Sequence, residues 1–391
     1  MYRRLFLMAS GGAALAQSPA DRIGLGVIGL GGRGRNVALE FRKDSALAVR
    51  ALCDVYEPRL EAALSQFGPG VEAYRDYRRL LDDPEVDVVL IATPEHWHHR
   101  MTLDALAAGK DIYVEKPLCH TPEEGKELVE AVRASDRIVQ VGMQRRSYDL
   151  YQQARDLRRQ GRLGTVRMVR SYWLNHMLEP RRQRFEGAID WPQWLGPAAG
   201  AAAAPNPLHF FNWRHLSRYA GGIVIDQGAH IYDAIHMILD LGYPSAVNAS
   251  ACSGHVEGVD QPESVVVVAE YPEEVLAVFT INYAAMKYPA PIDQLNSYDG
   301  DQARMDVGRE FVRLYDQADP ATPAVAREDP GGFGSATTAH VANFLECVRT
   351  RQEPTAPIEK GFQAALVLQL ANRSLEQGRR IRWDRDTLTA A

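Results

Sequence analysis

Cysteine is scarce in this chain, and what there is lies scattered. Cys53, Cys119, Cys252 and Cys347 form no C-x-x-C pair, which excludes a disulfide framework and a cysteine zinc site. No H-E-x-x-H occurs, and no carboxylate is spaced to join the histidines at 96–99, so no metal is expected. Basic runs are missing too. Lys and Arg number 44 against 50 Asp and Glu, a net charge of −6 with no stripe to follow a phosphate backbone, so nucleic acid is not an expected partner. Internal repeats are absent, and the one biased tract is a short Ala-rich loop at 198–204. What remains is ordinary globular composition, 46% apolar and 24% charged, on a chain long enough for two domains with separate cores.

Residues 1–20 stand apart. Arg3 and Arg4 precede a weakly apolar stretch that ends Ala14-Leu15-Ala16, the pattern of a twin-arginine export signal with an A-x-A-like cleavage site. The stretch 5–16 is too short to span a bilayer, so no membrane span is expected. The reading predicts folded export to the periplasm, with a frayed cytoplasmic N-terminus as the alternative.

The next 125 residues alternate strand and helix patterns. An apolar run at 23–29 ends in Gly29-Leu30-Gly31-Gly32-Arg33-Gly34, which fits G-x-G-x-x-G between a strand and a helix at 35–42. Gly29 permits the tight turn, Gly31 lets the backbone approach a pyrophosphate, and Gly34 allows close helix–strand packing. The helix N-terminus faces the phosphate charge. A second strand at 47–53 closes on Asp54, twenty residues beyond Gly34, where a carboxylate can accept bonds from both ribose hydroxyls. A 2′-phosphate there would meet like charge, which favours NAD over NADP; Arg59 nearby softens that preference. Strands at 86–92, 111–114 and 138–142 and helices at 96–108 and 122–135 continue the pattern, which implies a parallel sheet covered on both faces.

Three further segments carry a family likeness: Ala92-Thr93-Pro94-Glu95-His96-Trp97-His98-His99, then Glu115-Lys116-Pro117, then Gly221-Gly222-Ile223-Val224-Ile225-Asp226-Gln227-Gly228-Ala229-His230. With the glycine loop, they make the chain resemble the glucose–fructose oxidoreductase / inositol dehydrogenase (Gfo/Idh/MocA) family over nearly everything after residue 20. The resemblance implies an α/β protein: an N-terminal Rossmann domain, 21–145, and a C-terminal α/β domain, 146–391, with an open, largely antiparallel sheet. It also implies a homo-oligomer, dimer or tetramer, and oxidation of hydroxyls on sugars or cyclitols.

The residues themselves support this. Lys116 follows a strand and so lies at the carboxyl edge of the sheet, where ligands bind. Asp226 and His230 are four apart, on one face of a helix. Oxidising an alcohol needs a base for the hydroxyl proton, and histidine titrates near operating pH. Asp226 is expected to orient the imidazole and Lys116 to bond the reacting oxygen. Each has a blander alternative: a strand-end lysine, a core histidine, a helix cap. Gly32 and Arg33 of the loop, Thr93, Pro94 and His99 after the third strand, and Glu115 beside Lys116 are expected to hold the cofactor.

From residue 145 the pattern changes. A strand at 166–173 precedes a long irregular stretch to about 220 that holds Trp191, Trp194, Trp213 and Arg214. Aromatic faces stack on sugar rings while Arg bonds hydroxyls, so Trp213, Arg214, Arg146, Lys116 and His230 are the expected substrate contacts. The alternative places Trp191 and Trp194 in a satellite core. Strands at 247–252, 264–271 and 275–283 follow, then helices near 335–349 and 359–377. Two other functions remain open at this level: glycoside cleavage by oxidation and elimination with the cofactor recycled, and a non-catalytic dinucleotide sensor.

Overall fold

The computed structural model describes residues 22–176, 180–198, 204–252 and 258–390. The expected export segment, 1–20, lies outside the described residues.

A first sheet contains β1 (Ile23–Ile28), β2 (Leu47–Cys53), β3 (Glu72–Tyr74), β4 (Val88–Ile91), β5 (Asp111–Val114) and β6 (Val139–Val141). All pairs are parallel, in the order 3-2-1-4-5-6. The inner strands β1, β4 and β5 are buried on both sides because both sides are covered. Leu25, Val27, Val88 and Leu90 share a core with Val37, Phe41 and Leu60 of the helices Gly32–Phe41 and Glu57–Phe67. Their neighbours Val89, Ile91, Ile112 and Val114 pack instead with Leu80, Met101, Ala105 and Leu128 from three other helices. The strand order reverses between β1 and β4, which opens a crevice at their carboxyl ends.

The second sheet is larger. It holds β7 (Val166–Leu174), β8 (Ala246–Cys252), β9 (Ser264–Glu270), β10 (Leu276–Asn282), β11 (Gln294–Gly300), β12 (Ala303–Gly308), β13 (Phe311–Asp316), β14 (Val325–Glu328), β15 (Ile381–Asp384) and β16 (Thr389–Ala390). Its order is 14-13-12-11-7-10-9-8-15-16, antiparallel except for the β7–β10 pair. Helices Gly222–Leu239 and Ile358–Gln377 cover one face. Burial therefore alternates: along β10, Ala277, Phe279 and Ile281 are buried and their neighbours are not. This is the open, largely antiparallel sheet expected from the resemblance.

One helix departs from a simple division at 145/146. Phe333–Thr350 returns to the first sheet, where Phe344 packs edge-to-face on Phe41 and Tyr113 at 5.9 and 5.8 Å. His340 accompanies it, bonded to the carbonyl of Val141 at 2.9 Å. Amphipathic periodicity shows that this segment is a helix with a buried stripe. It does not say which sheet the stripe covers.

Candidate active site

The glycine loop is shaped by close approaches. The chain turns after β1 at Gly29, whose φ is +90° and where a side chain would also press on the Ala92 carbonyl. Gly34 lies so near that turn that a Cβ would stand 2.0 Å from the Gly29 oxygen. Gly32 faces open space, and a Cβ on Gly31 would meet only the Arg59 guanidinium, at 3.9 Å. The helix Gly32–Phe41 that starts here has no side-chain cap and no acid in its first turn, so its free N–H groups and positive dipole end are available to an anion.

Asp54 closes the same site. Its carboxylate is buried and accepts from the backbone N–H groups of Leu30 at 2.8 Å and Tyr56 at 2.9 Å. Burial raises its pKa, against the pull of Arg59 and of those bonds. Each carboxylate oxygen has two lone pairs, so both can still accept a ribose hydroxyl. Asp54, the turn glycines, Arg33, Thr93 and Pro94 line one cavity of about 310 Å³, together with Trp213 and Arg214 from the far side. A tight turn, an open glycine cradle, an uncapped helix start and a buried carboxylate fit a dinucleotide.

Beside this cavity lies a corner of buried charge. Lys116 Nζ donates to the Asp226 carboxylate at 2.8 Å and to its main-chain oxygen at 2.9 Å, across 110 residues of sequence. Arg214 reaches the same carboxylate at 3.4 Å, and Arg33 bonds Glu115 at 2.7 Å. Since Arg33 and Arg214 line the cavity, the corner borders it directly. Burial works against the Asp226 carboxylate, but Lys116 and Arg214 outweigh it and hold its pKa below the ordinary value.

The wiring differs from the expectation that Asp226 orients His230. Both lie on the helix Gly222–Leu239, yet the carboxylate turns to the two cations rather than to a neutral ring, as Coulomb attraction favours. His230 Nδ1 is buried with no partner among the described residues, and its ring lies 6.4 Å from that of Trp173. Burial, then Lys116 and Arg145, push the His230 pKa well below the ordinary range, so the imidazole is neutral.

Three other expected residues sit elsewhere. His99 points to Glu127, at 3.0 Å, and does not line the cavity, because it falls on the outer side of the helix His98–Ala107. Arg146 is buried in an ion pair with Asp233 at 2.6 Å, and so is committed to the helix Gly222–Leu239 rather than to a ligand. Glu115 is buried behind the loop, where it holds Arg33. Trp213 lines the cavity, but one face of its ring carries the Arg214 guanidinium at 4.2 Å. Trp191 and Trp194 stack at 4.6 Å inside a satellite core with Tyr56 and Phe210, and Trp194 also reaches the cavity.

Two buried residues of the Thr93–His99 segment escape sequence reasoning. His98 bridges two loops of the first sheet, lying 2.7 Å from the Pro117 carbonyl and 3.0 Å from that of Thr93. Glu95 is fully buried and accepts from the Gly221 N–H at 2.9 Å, just where the helix carrying Asp226 and His230 begins. Burial, opposed by that bond, raises its pKa to about 8. Nothing periodic marks either residue; only their place in the quoted segment could have raised them.

The comparisons with known proteins agree with this geometry. Residues 23–143 match the model described as the oxidoreductase family, NAD-binding Rossmann fold, and 151–307 match the GFO/IDH/MocA C-terminal domain. A glycosyl hydrolase family 109 protein 2 from a Shewanella species is 36% identical over 125 residues, 30% of this chain and 27% of that protein. A levoglucosan dehydrogenase from Pseudarthrobacter phenanthrenivorans is 30% identical over 59% of this chain and 54% of its own length. The chain thus matches little more than half of either curated relative at most. In fold it resembles a levoglucosan dehydrogenase solved with NADH and levoglucosan, with a TM-score of 0.72 and 20% identity over 92% of this chain and 99% of that one. With both of the family's models matched in order along it, the chain belongs to the GFO/IDH/MocA oxidoreductase family and carries that family's NAD-binding Rossmann unit.

Proposed function

We propose that this protein is an NAD-dependent oxidoreductase acting on a hydroxyl of a sugar, glycoside or cyclitol. The observation that carries the reading is Lys116, held by Asp226 at the border of the glycine-loop cavity. When bound, the nicotinamide supplies the redox step. The chain supplies the proton handling and the charge. Lys116, fixed through Asp226, bonds the substrate oxygen and stabilises negative charge on it as the hydroxyl proton leaves. His230, neutral and partly buried, is the base that accepts that proton. Its lowered pKa keeps it in the accepting form at neutral pH, so the acid limb of kcat/KM falls below the ordinary histidine value of about 6.5. Trp213 and Arg214 hold the ring. The levoglucosan dehydrogenase relative supports a polyhydroxylated ring substrate.

A second reading, glycoside cleavage by transient oxidation and elimination, draws on the glycosyl hydrolase family 109 relative. We divide the chain into a cofactor unit, 21–145, and a substrate and assembly unit, 146–391, and propose export through the Arg3-Arg4 signal.

The test is the purified protein with NAD against a panel of sugars, cyclitols and chromogenic glycosides. Reduced nicotinamide absorbance of at least one equivalent per chain with a sugar or cyclitol is the expected result. Release of the glycoside's leaving group without net reduction selects the second reading. A protein that binds NAD and responds to none of them overturns both.

A further inference from the structure

The cations at the active corner outnumber the carboxylates that pair with them. Glu115 holds Arg33 at 2.7 Å and Asp293 holds Arg309 at 2.5 Å, one to one. Asp226 serves two cations, Lys116 at 2.8 Å and Arg214 at 3.4 Å. Arg145 has no carboxylate within ion-pair distance among the described residues. The acids that act on it, Asp233 and Asp293, are taken by Arg146 at 2.6 Å and by Arg309. It donates instead to neutral oxygens, the Tyr151 hydroxyl at 3.2 Å and the Gln294 amide. Yet it is only 2% exposed, caged by the rings of Phe333 at 4.7 Å and Trp173 at 5.4 Å. Trp173 is also the ring beside His230, so the Arg145 charge stands one side chain behind that imidazole. Glu95 offsets nothing, because its pKa of about 8 keeps it protonated at neutral pH. Two positive charges are left over, one where Asp226 is shared and one at Arg145.

Taking an ion out of water is costly unless a counter-charge meets it. Neither the cofactor nor the chemistry supplies one here. The dinucleotide's phosphates are met by the glycine loop and the uncapped helix start, and an oxidised nicotinamide ring is itself a cation. During oxidation the hydroxyl proton passes to His230 while the hydride cancels the ring charge, so the total charge is the same before and after. From this surplus we infer that the substrate brings the missing anion: a sugar ring bearing a carboxylate, as a hexuronic acid does. The inference rests on the oxidoreductase reading and names the substrate class of that same site. Arg214 takes the carboxylate. Its side chain is 44% exposed on the cavity wall, its grip on Asp226 is the looser of the two, and stacking on Trp213 at 4.2 Å orients its planar fork. A guanidinium in that state can bond a carboxylate through two parallel N–H groups. Arg145 lies too deep to touch the ring and acts as a positioning residue, through the low dielectric around Trp173. The same surplus is felt at His230, whose pKa is lowered by burial first, then by Lys116 and Arg145. The carboxylate itself stays intact. One ring hydroxyl loses its O–H and C–H hydrogens, and a C=O bond forms.

The experiment sets each uronic acid against its neutral counterpart: glucuronate and glucose, galacturonate and galactose, mannuronate and mannose. Reduction of NAD is followed with the full chain. At least one uronate should exceed its counterpart by about tenfold or more in kcat/KM. The surplus is then removed one charge at a time. Arg214→Gln should cut that ratio by about tenfold, mainly through KM. Arg145→Gln should lower it several-fold and Arg145→Lys should restore it, a rescue that lost packing alone would not give. If Arg145→Gln fails to fold, Arg214→Gln decides. Calorimetric titration of the NADH-loaded protein with the same compounds reads binding without turnover. Neutral sugars oxidised as well as every uronate, or a ratio unmoved in the Arg214 variant, overturn the inference and leave the oxidoreductase reading standing. A uronate bound in preference to its neutral counterpart but never oxidised does the reverse. Uronates neither bound nor oxidised remove the inference outright.

Discussion

The cofactor cleft and the charged corner beside it are built by opposite means. The cleft is made mostly of backbone, from a window between Gly29 and Asp54, and its demands are on what is missing: side chains at Gly29 and Gly34, a cap on the helix start. The corner is made of side chains from distant places, with Lys116 brought to Asp226 across 110 residues and Arg214 closing on the same carboxylate. A site made of absences is specified by residues close together in the chain. A site made of charges exists only when two sheets and the helix between them have met. The first is tuned by removing atoms, the second by pairing them.

The contrast can be broken most sharply at Lys116. Lys116→Met should lower kcat by roughly 10²–10⁴-fold, the usual worth of a positioned proton-handling group, while NAD affinity measured by calorimetry stays within a few-fold. A loss under about tenfold would remove Lys116 from the chemistry. On the other side, Gly34→Ala forces a methyl into the Gly29 carbonyl and should act on fold and cofactor together. We expect about 1–3 kcal/mol lost in denaturant unfolding, with weakened NAD binding. Unchanged NAD affinity would mean that the turn is not the cradle.

The smallest effect sharpens the boundary between the two regions, where Glu95 ties the loop after β4 to the helix of Asp226. The folded protein keeps the Glu95 proton up to about pH 8, whereas the unfolded chain releases it above about 4.3. The folded state therefore binds more protons, and stability falls as pH rises between those values. Glu95→Gln keeps an acceptor for the Gly221 N–H and removes the titration. Its melting temperature should match that of wild type near pH 4 and exceed it by a growing margin of roughly a few degrees up to pH 8. A margin independent of pH would show that Glu95 is not the group titrating there.

The same contrast explains what the sequence made legible. β2 and β5 were readable to the residue, since each is a short run, apolar but for Arg50 in β2 and Asp111 at the start of β5, closed by the carboxylate of Asp54 or Glu115. β11 and β12 were not. Gln294–Gly300 mixes Asn, Ser, Asp and Gly with apolar residues and buries polar Asn296 and Ser297, so no alternation shows; Ala303–Gly308 does alternate, with Ala303, Met305 and Val307 buried, but its five alternating residues stand beside no other readable strand. β3 is three residues with two exposed, too short to carry a pattern. In the site, motif and spacing pointed to Lys116, Asp226 and His230 together. Which of them Asp226 would bond depended on Arg214 and Lys116 arriving on the same side, and helix periodicity carries no information about that. The raised pKa of Glu95 is equally hidden, because a carboxyl's burial is decided by segments far along the chain.

The helix Phe333–Thr350 sets an order of events during synthesis. The first sheet contains the earliest strands of the chain, yet one of its faces is finished by Phe344, which the ribosome adds some 200 residues after β6. Until then Phe41 and Tyr113 have only part of their packing, and the nascent first half presents an apolar face to solvent. A protein of this design gains its complete nucleotide-binding core only as its last helices emerge. A truncated product ending before residue 333 should therefore be a chaperone client rather than a stable fragment.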